Sequence, residues 1–267
     1  MSDGTDTLHV TREAGIVTVT IDRPEKKNAL DTPTFAALHA VLREVATSAE
    51  DRVLVITGAG GDFCSGADLS SVVDPDEHPL ARMRRIHDVA LTLHRMTVPT
   101  IAKVSGVAVG AGWNLALACD LVVASEDARF SQIFAKRGLS LDFGGSWLLP
   151  RLVGLHRAKE LALFGDMVAA EQALRMGLVN RVVPGDALDD TVDDWARRLA
   201  TGPPVALSQS KQLLNDGLTA TMAQALEAES QAQVTNFATT DTAEAFVAFA
   251  QKRDPEFTGG SALGGSR

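Results

Sequence analysis

Residues 15–22 alternate apolar and polar side chains, with Ile16, Val17, Val19 and Ile21 set among threonines, which is the period-two pattern of a half-buried strand. From Asp31 to Glu50 the period changes. Phe35, Leu38, Leu42 and Val45 recur on one helical face, Asp31 or Thr32 stands where an N-cap is needed, and Pro33 falls in the first turn. Val53 to Thr57 is a continuous apolar run closed by glycines from Gly58 to Gly61, which predicts a buried strand ending in a loop. The rhythm then repeats, with helix over 87–96, strand over 100–104, helix over 110–119 and strand over 121–124. Such alternation predicts an α/β architecture with largely parallel, buried strands. No repeat of fixed sequence period accompanies it.

Beyond Gly185 the strand pattern stops. Helical patterns cover 186–200, 204–216, 219–236 and 239–252, broken at Pro203, Pro204 and Gly217. The expected organisation is an α/β core over 1–185, a helical region over 186–257 and a flexible Gly/Ser-rich tail over 258–267. The helical region is thin in apolar stripes and short of the usual domain size, so it is expected to pack on the body or on a neighbouring subunit.

The chain has 267 residues, 45% of them hydrophobic and 22% charged, as in a soluble globular protein with a sizeable core. Asp and Glu outnumber Lys and Arg by 34 to 25, a net charge of −9 that argues against a nucleic-acid partner. Two cysteines, Cys64 and Cys119, cannot build a disulfide framework and fit a reducing compartment. The polar, acidic first ten residues lack the pattern of a signal peptide. Residues 98–124 are the most membrane-like, but Lys103, Asn114 and Asp120 interrupt them, so a buried strand followed by a buried helix is expected instead. These features together predict a cytoplasmic protein without a membrane partner.

Two glycine-rich loops follow buried strands, Gly58 to Leu69 and Gly106 to Asn114. Neither spells a dinucleotide fingerprint or a P-loop. Small residues at such positions let backbone N–H groups face a ligand, and two converging N–H donors make an oxyanion hole.

Three stretches, Asp22-Arg-Pro-Glu-Lys-Lys-Asn-Ala-Leu30, Phe63-Cys-Ser-Gly-Ala-Asp-Leu69 and Gly106-Val-Ala-Val-Gly-Ala-Gly112, resemble the signatures of the crotonase (enoyl-CoA hydratase/isomerase) superfamily. Residues Gly138 to Pro150 and the ending Lys252 to Phe257 match as well, so the resemblance covers about residues 7–258. It implies a spiral of ββα units with a C-terminal helical trimerisation region, assembly as a homotrimer or dimer of trimers, and an acyl-CoA thioester as substrate. It implies no metal and no redox cofactor, since CoA arrives as part of the substrate. Carried over position by position, the backbone N–H groups of Ala67 and Ala111 would hold the thioester oxygen. Ala29, Gly66, Leu69, Gly112, Asn114, Phe134 and Trp147 would lie along the substrate.

The chain departs from the hydratase pattern. The two positions that carry glutamates in a typical hydratase are Asn114 and Phe134 here, and neither can take a proton. Asn114 retains the ability to orient a water or the thioester. One carboxylate remains nearby, Asp142, in a spelling that resembles the subgroup containing ring-1,2-epoxyphenylacetyl-CoA isomerase and, more distantly, dienoyl-CoA isomerases. That resemblance implies Asp142 as the base. Phe134, Phe143 and Trp147, close in sequence, are expected to raise its pKa; the competing role is an Asp142 side chain hydrogen-bonded to the Gly144-Gly145 turn.

Other residues have plainer expected roles. Asp68 is expected to cap the helix after the oxyanion loop, though it also stands among the candidate substrate contacts. Cys64 is expected to be a buried filler, and Asp62 a solvated loop residue. His87 and His94 are two helical turns apart, too far for an adjacent-turn metal pair. Arg23, Lys26 and Lys27 form a basic cluster suited to CoA phosphates, and Lys252 is a further candidate. The pattern gives no account of Lys103 or of residues 69–85. The sequence thus favours an acyl-CoA isomerase that moves a proton through a stabilised thioester enolate. The alternatives are an enoyl-CoA hydratase with an unconventional base and a non-catalytic acyl-CoA-binding protein.

Overall fold

The computed structural model describes residues 7–71 and 78–261. Along the chain run β1 (Leu8–Glu13), β2 (Ile16–Ile21), α1 (Thr32–Thr47), β3 (Val53–Gly58), α2 (Pro79–His94), β4 (Thr100–Val104), β5 (Val107–Val109) and α3 (Ala111–Ala118). There follow β6 (Leu121–Ser125), β7 (Arg129–Ser131), α4 (Gly145–Phe164), β8 (Val168–Ala169), α5 (Ala170–Arg175), β9 (Arg181–Val183), α6 (Leu188–Ala200), α7 (Pro204–Gly217), α8 (Met222–Phe237) and α9 (Thr240–Gln251). Short 3₁₀ turns at Pro24–Lys26, Leu69–Ser71, Ile133–Arg137 and Gly185–Ala187 connect them.

The larger sheet has the order β1-β2-β3-β4-β6-β9, antiparallel at the β1–β2 hairpin and parallel elsewhere. Its central strand shows why the apolar run is continuous. Leu54 and Ile56 face a core shared with α1, α2 and α3, while Val53 and Val55 face Val123, Leu188 and Val192 on the α6 side. A strand covered on both faces has no polar side to show. The same alternation explains Lys103: its ammonium leaves β4 on the α6 side and meets Asp189 Oδ1 at 2.7 Å.

α1 starts where its cap predicts. Asp31 Oδ1 accepts the Thr34 N–H at 2.9 Å, a contact worth about 1 kcal/mol in such positions. Phe35, Leu38, Leu42 and Val45 are all buried. α7 docks on the body through Lys211, whose ammonium lies 2.8 Å from Asp120 Oδ2 and donates to the Val98 carbonyl at 3.1 Å.

Several elements depart from the sequence pattern. β1 is unpredicted because only Leu8 and Val10 of its six side chains are buried, as befits an edge strand. A second sheet, β5-β7-β8, is built from strands of two or three residues, too short to show a period. α2 begins at Pro79, capped by His78 Nδ1 accepting the Leu80 N–H, well before the expected start at 87. The expected flexible tail is corrected at its start. Asp241, buried at the head of α9, accepts N–H groups of Thr258 and Gly259, and Thr240 N–H donates to the Gly260 carbonyl. Residues 262–267 and 72–77 lie outside the described residues. Among the described residues no helix is long and apolar enough to cross a membrane.

Candidate active site

Between β3 and α2 the chain is held by two isolated parallel bridges. Cys64 pairs with Ala108 of β5, and Ala67 pairs with Leu30. The second bridge uses the Gly66 carbonyl and the Asp68 N–H, both bonded to Leu30, and so leaves the Ala67 N–H with no acceptor among the described residues. Ala111 opens α3, where the first N–H groups have no intrahelical partner. Gly110 N–H, just before it, is anchored on the Ser131 carbonyl of β7 at 2.8 Å. The two donors named by the sequence are therefore both uncommitted backbone groups on braced segments. The positive end of the α3 dipole adds to the field at Ala111.

Their approach depends on Gly112. A Cβ there would lie 2.2 Å from the Cys64 carbonyl oxygen, so only glycine lets α3 close on the Cys64 segment. Gly112 is thus buried packing between the two oxyanion segments. Cys64 is wholly buried and its thiol is pushed up to about 12 by desolvation, as a filler would be. Asp62 is not merely solvated: its Oδ1 accepts the Val107 N–H at 2.8 Å.

The basic loop divides into inner and outer parts. Arg23 is largely buried and bonds to Asp68 Oδ2 at 3.0 Å, to Asp31 Oδ2 at 3.2 Å and to the Ala29 carbonyl. It braces the loop from within, with its guanidinium already committed to two carboxylates. Ala29 is buried beneath it. Asp68 also accepts the Ser70 hydroxyl and N–H, so it caps the 3₁₀ turn as expected and does not reach outward as a substrate contact. Asn28, which sequence reasoning passed over, is the hub: fully buried at φ 57°, it donates to the Ala59 and Asp62 carbonyls and accepts the Arg23 N–H. Lys26 and Lys27 are exposed, with Lys27 Nζ 3.5 Å from Asp62 Oδ2. Leu69 is exposed beside the oxyanion loop, and Lys252 is exposed at the C-cap of α9.

Asp142 sits in the turn that starts α4. Its backbone carbonyl accepts the Gly145 N–H and the Asn114 side-chain amide, each at 2.9 Å. It is this carbonyl, not the carboxylate, that meets the Gly144-Gly145 turn, which removes the competing role for the side chain. The turn is tight: Phe143 adopts φ 47° and Gly144 φ 80°, with the Phe143 ring fully buried near Phe35. Gly145 has no Cβ, and one placed there would lie 2.4 Å from Asn114 Nδ2.

Burial raises the Asp142 carboxyl from its ordinary value to about 6, and Oδ1 is buried with no hydrogen-bond partner. A carboxylate without donors is poorly solvated and correspondingly basic. Asn114 is itself fully buried, its Oδ1 accepting from Gln132 Nε2 at 2.9 Å, so it holds the Asp142 turn and is not free to orient a ligand. Asn114 lies one helical turn along α3 from Ala111, roughly 5 Å of rise. Phe134 is buried, its ring 3.6 Å from where a Gly110 Cβ would stand.

Asp142 opens on a cavity of about 780 Å³ between α2, the start of α4 and α7. Trp147 forms part of its wall, edge-on to His94 at 5.1 Å and covered by the Arg151 guanidinium at 4.0 Å. Desolvation lowers the His94 pKa, with Lys211 adding to the effect. Ala67 and Ala111 are not among the residues that line this cavity, which α3 reaches at Ala118. Lys211 and Gln132 escaped sequence reasoning because each gains its place from residues distant in the chain, and His94 was weighed there only as a metal ligand.

Two uncommitted N–H donors and one basic carboxylate are groups able to hold and deprotonate a carbonyl compound. The family model for enoyl-CoA hydratase/isomerase matches residues 11–260. The chain is 39% identical over 252 residues to 1,2-epoxyphenylacetyl-CoA isomerase of Escherichia coli, covering 92% of this chain and 96% of that protein. It is 36% identical over 247 residues to short-chain-enoyl-CoA hydratase of Clostridium acetobutylicum, covering 92% and 95%. The crystal structure of enoyl-CoA hydratase from Bacillus anthracis superposes with a TM-score of 0.90 at 30% identity, over 95% of this chain and all of that one. Signature loops, crotonase fold and matched length converge, and the chain belongs to the enoyl-CoA hydratase/isomerase family.

Proposed function

We propose that this enzyme is an acyl-CoA isomerase in which Asp142 is the base. The observation that carries the reading is the Asp142 carboxyl: raised to about 6, with one buried oxygen that has no donor among the described residues, at the wall of a cavity. The carboxylate takes a proton from a carbon activated by the thioester. The electron pair moves to the thioester oxygen, where the Ala67 and Ala111 N–H groups stabilise the enolate; each such donor is worth about 3–4 kcal/mol. The protonated carboxyl then returns the proton at another carbon. The cycle consumes nothing and needs no cofactor beyond the CoA of the substrate.

Hydration asks for more. A water must be activated as well as a proton delivered, and the amide of Asn114 and the ring of Phe134 do neither. The hydratase relative keeps this second reading alive, with Asp142 itself then activating the water. Lys26, Lys27 and Lys252 would meet the CoA phosphates. Exposed apolar side chains on the C-terminal helices, Phe249 at 86%, Met222 at 79% and Val234 at 70%, support association of several copies, for which we propose a homotrimer or a dimer of trimers.

The test is a panel of 2-enoyl-, 3-enoyl- and arylacetyl-type CoA thioesters with products followed by mass spectrometry and retention time. Isomerase chemistry gives products of unchanged mass and shifted retention. A gain of one water without isomerisation would establish the hydratase instead. Retained binding without turnover would leave a non-catalytic acyl-CoA-binding protein.

A further inference from the structure

We infer that Gln132 is a positioning residue for the base, acting through Asn114; the inference rests on the assignment of Asp142 above. Gln132 follows β7 directly and is fully buried. Its Nε2 donates to Asn114 Oδ1 at 2.9 Å, and Asn114 Nδ2 donates to the Asp142 carbonyl at 2.9 Å. An asparagine amide has a donor end and an acceptor end, and nothing in its shape distinguishes them. The Asp142 carbonyl, which can only accept, takes the donor end of the amide, and Gln132 Nε2 satisfies and holds the oxygen that this leaves buried on the other side. With the amide reversed, two oxygens would face each other and the turn carrying Asp142 would be pushed away.

The arrangement leaves Gln132 Oε1 buried with no partner. An unpartnered buried carbonyl is a cost to folding, borne here alongside the bond that Nε2 makes to Asn114. The pair is also rigidly placed. β7 is locked to β5 in parallel register, Val109 opposite Ser131, and the Ser131 carbonyl anchors Gly110 beside the oxyanion donor Ala111. One strand pair therefore sets both the oxyanion loop and, through two amides, the base. Gly145 completes the contact by leaving room for the Asn114 amide.

The experiment uses the full chain with trans-3-hexenoyl-CoA as probe, comparing wild type, Asp142→Asn, Gln132→Met, Gln132→Glu, Asn114→Leu and the Gln132→Met/Asn114→Leu double variant. Gln132→Met and Asn114→Leu should each lower kcat roughly ten- to a hundredfold, the scale expected for a small displacement of a reacting group, with KM changed less than about twofold. The double variant should be no slower than the slower single one, because both residues act through one contact. Gln132→Glu, which invites the Asn114 amide to reverse, should be slower than Gln132→Met. Thermal melting checks that each variant folds; if Asn114→Leu does not, the order of the two Gln132 variants decides. Unchanged kcat in Gln132→Met, a rise in KM in its place, or multiplying losses in the double variant overturns the inference while leaving the Asp142 assignment intact. Wild-type turnover that is absent, or that survives in Asp142→Asn, sinks the assignment and this inference with it.

Discussion

Asp68 and Asp142 are two aspartates in loops that flank the same site, and their surroundings drive them in opposite directions. Asp68 receives the Ser70 hydroxyl and N–H and pairs with the Arg23 guanidinium, and its carboxyl falls to about 2. Asp142 receives no such donors at Oδ1, and burial lifts its carboxyl to about 6. Taking a carboxylate out of water does not by itself decide its pKa; the donors that replace the water do. The first aspartate holds a loop together. The second is kept short of partners, which costs folding free energy and leaves a base near neutral pH.

Exchanging each aspartate for asparagine should separate the two cases. Asp142→Asn should cut turnover about a hundred- to ten-thousandfold, the contribution of a general base, with acyl-CoA affinity by calorimetry nearly unchanged. Gly112→Ala attacks the shared frame: with its Cβ 2.2 Å from the Cys64 carbonyl, α3 must move away from the oxyanion loop. Losing one donor alone would cost about a hundred- to a thousandfold in kcat, and overpacking should lower stability by about 1–3 kcal/mol in denaturant titrations.

The stability effects of the two aspartates should have opposite signs. A carboxyl whose folded pKa is raised favours folding at low pH and loses that contribution as pH rises from about 4 through 6. Removing the charge should therefore stabilise Asp142→Asn at pH 8, by up to about 3 kcal/mol for a shift of this size. Asp68 titrates the other way, its contribution present above about 4 and lost as pH falls through 2. Asp68→Asn should accordingly lower the melting temperature at pH 8. The activity profile of the wild type sharpens the same contrast: kcat/KM should climb about tenfold per pH unit below 6 and level off above it. The smallest effect belongs to the exposed lysines. Lys26→Ala with Lys27→Ala should raise KM only a few-fold, more at low salt, with the melting temperature unchanged.

What the sequence revealed depended on range. α1 was legible because its cap and stripe lie within sixteen consecutive residues, and β3 because its apolar run is unbroken. The oxyanion donors were legible through motif resemblance alone, since a backbone N–H leaves no mark in residue type. The rise of the Asp142 pKa followed from aromatic neighbours close in sequence. The partners that define its turn did not: Asn114 is 28 residues away, and Arg23 reaches Asp68 across 45. A basic cluster read locally made Arg23 look like a phosphate ligand, whereas the fold places two carboxylates beside it. Lys103 posed a puzzle only until α6 supplied Asp189.

The central claim, that Asp142 moves a proton at carbon, is tested most directly by hydrogen exchange in D₂O. A saturated and a 3-enoyl-CoA thioester are incubated with wild type and Asp142→Asn, and deuterium at the carbons next to the thioester is counted by mass spectrometry. The wild type should incorporate deuterium rapidly and the variant at least a hundredfold more slowly, with both proteins binding the thioester equally. Equal incorporation by the two proteins would contradict the claim and place the base elsewhere.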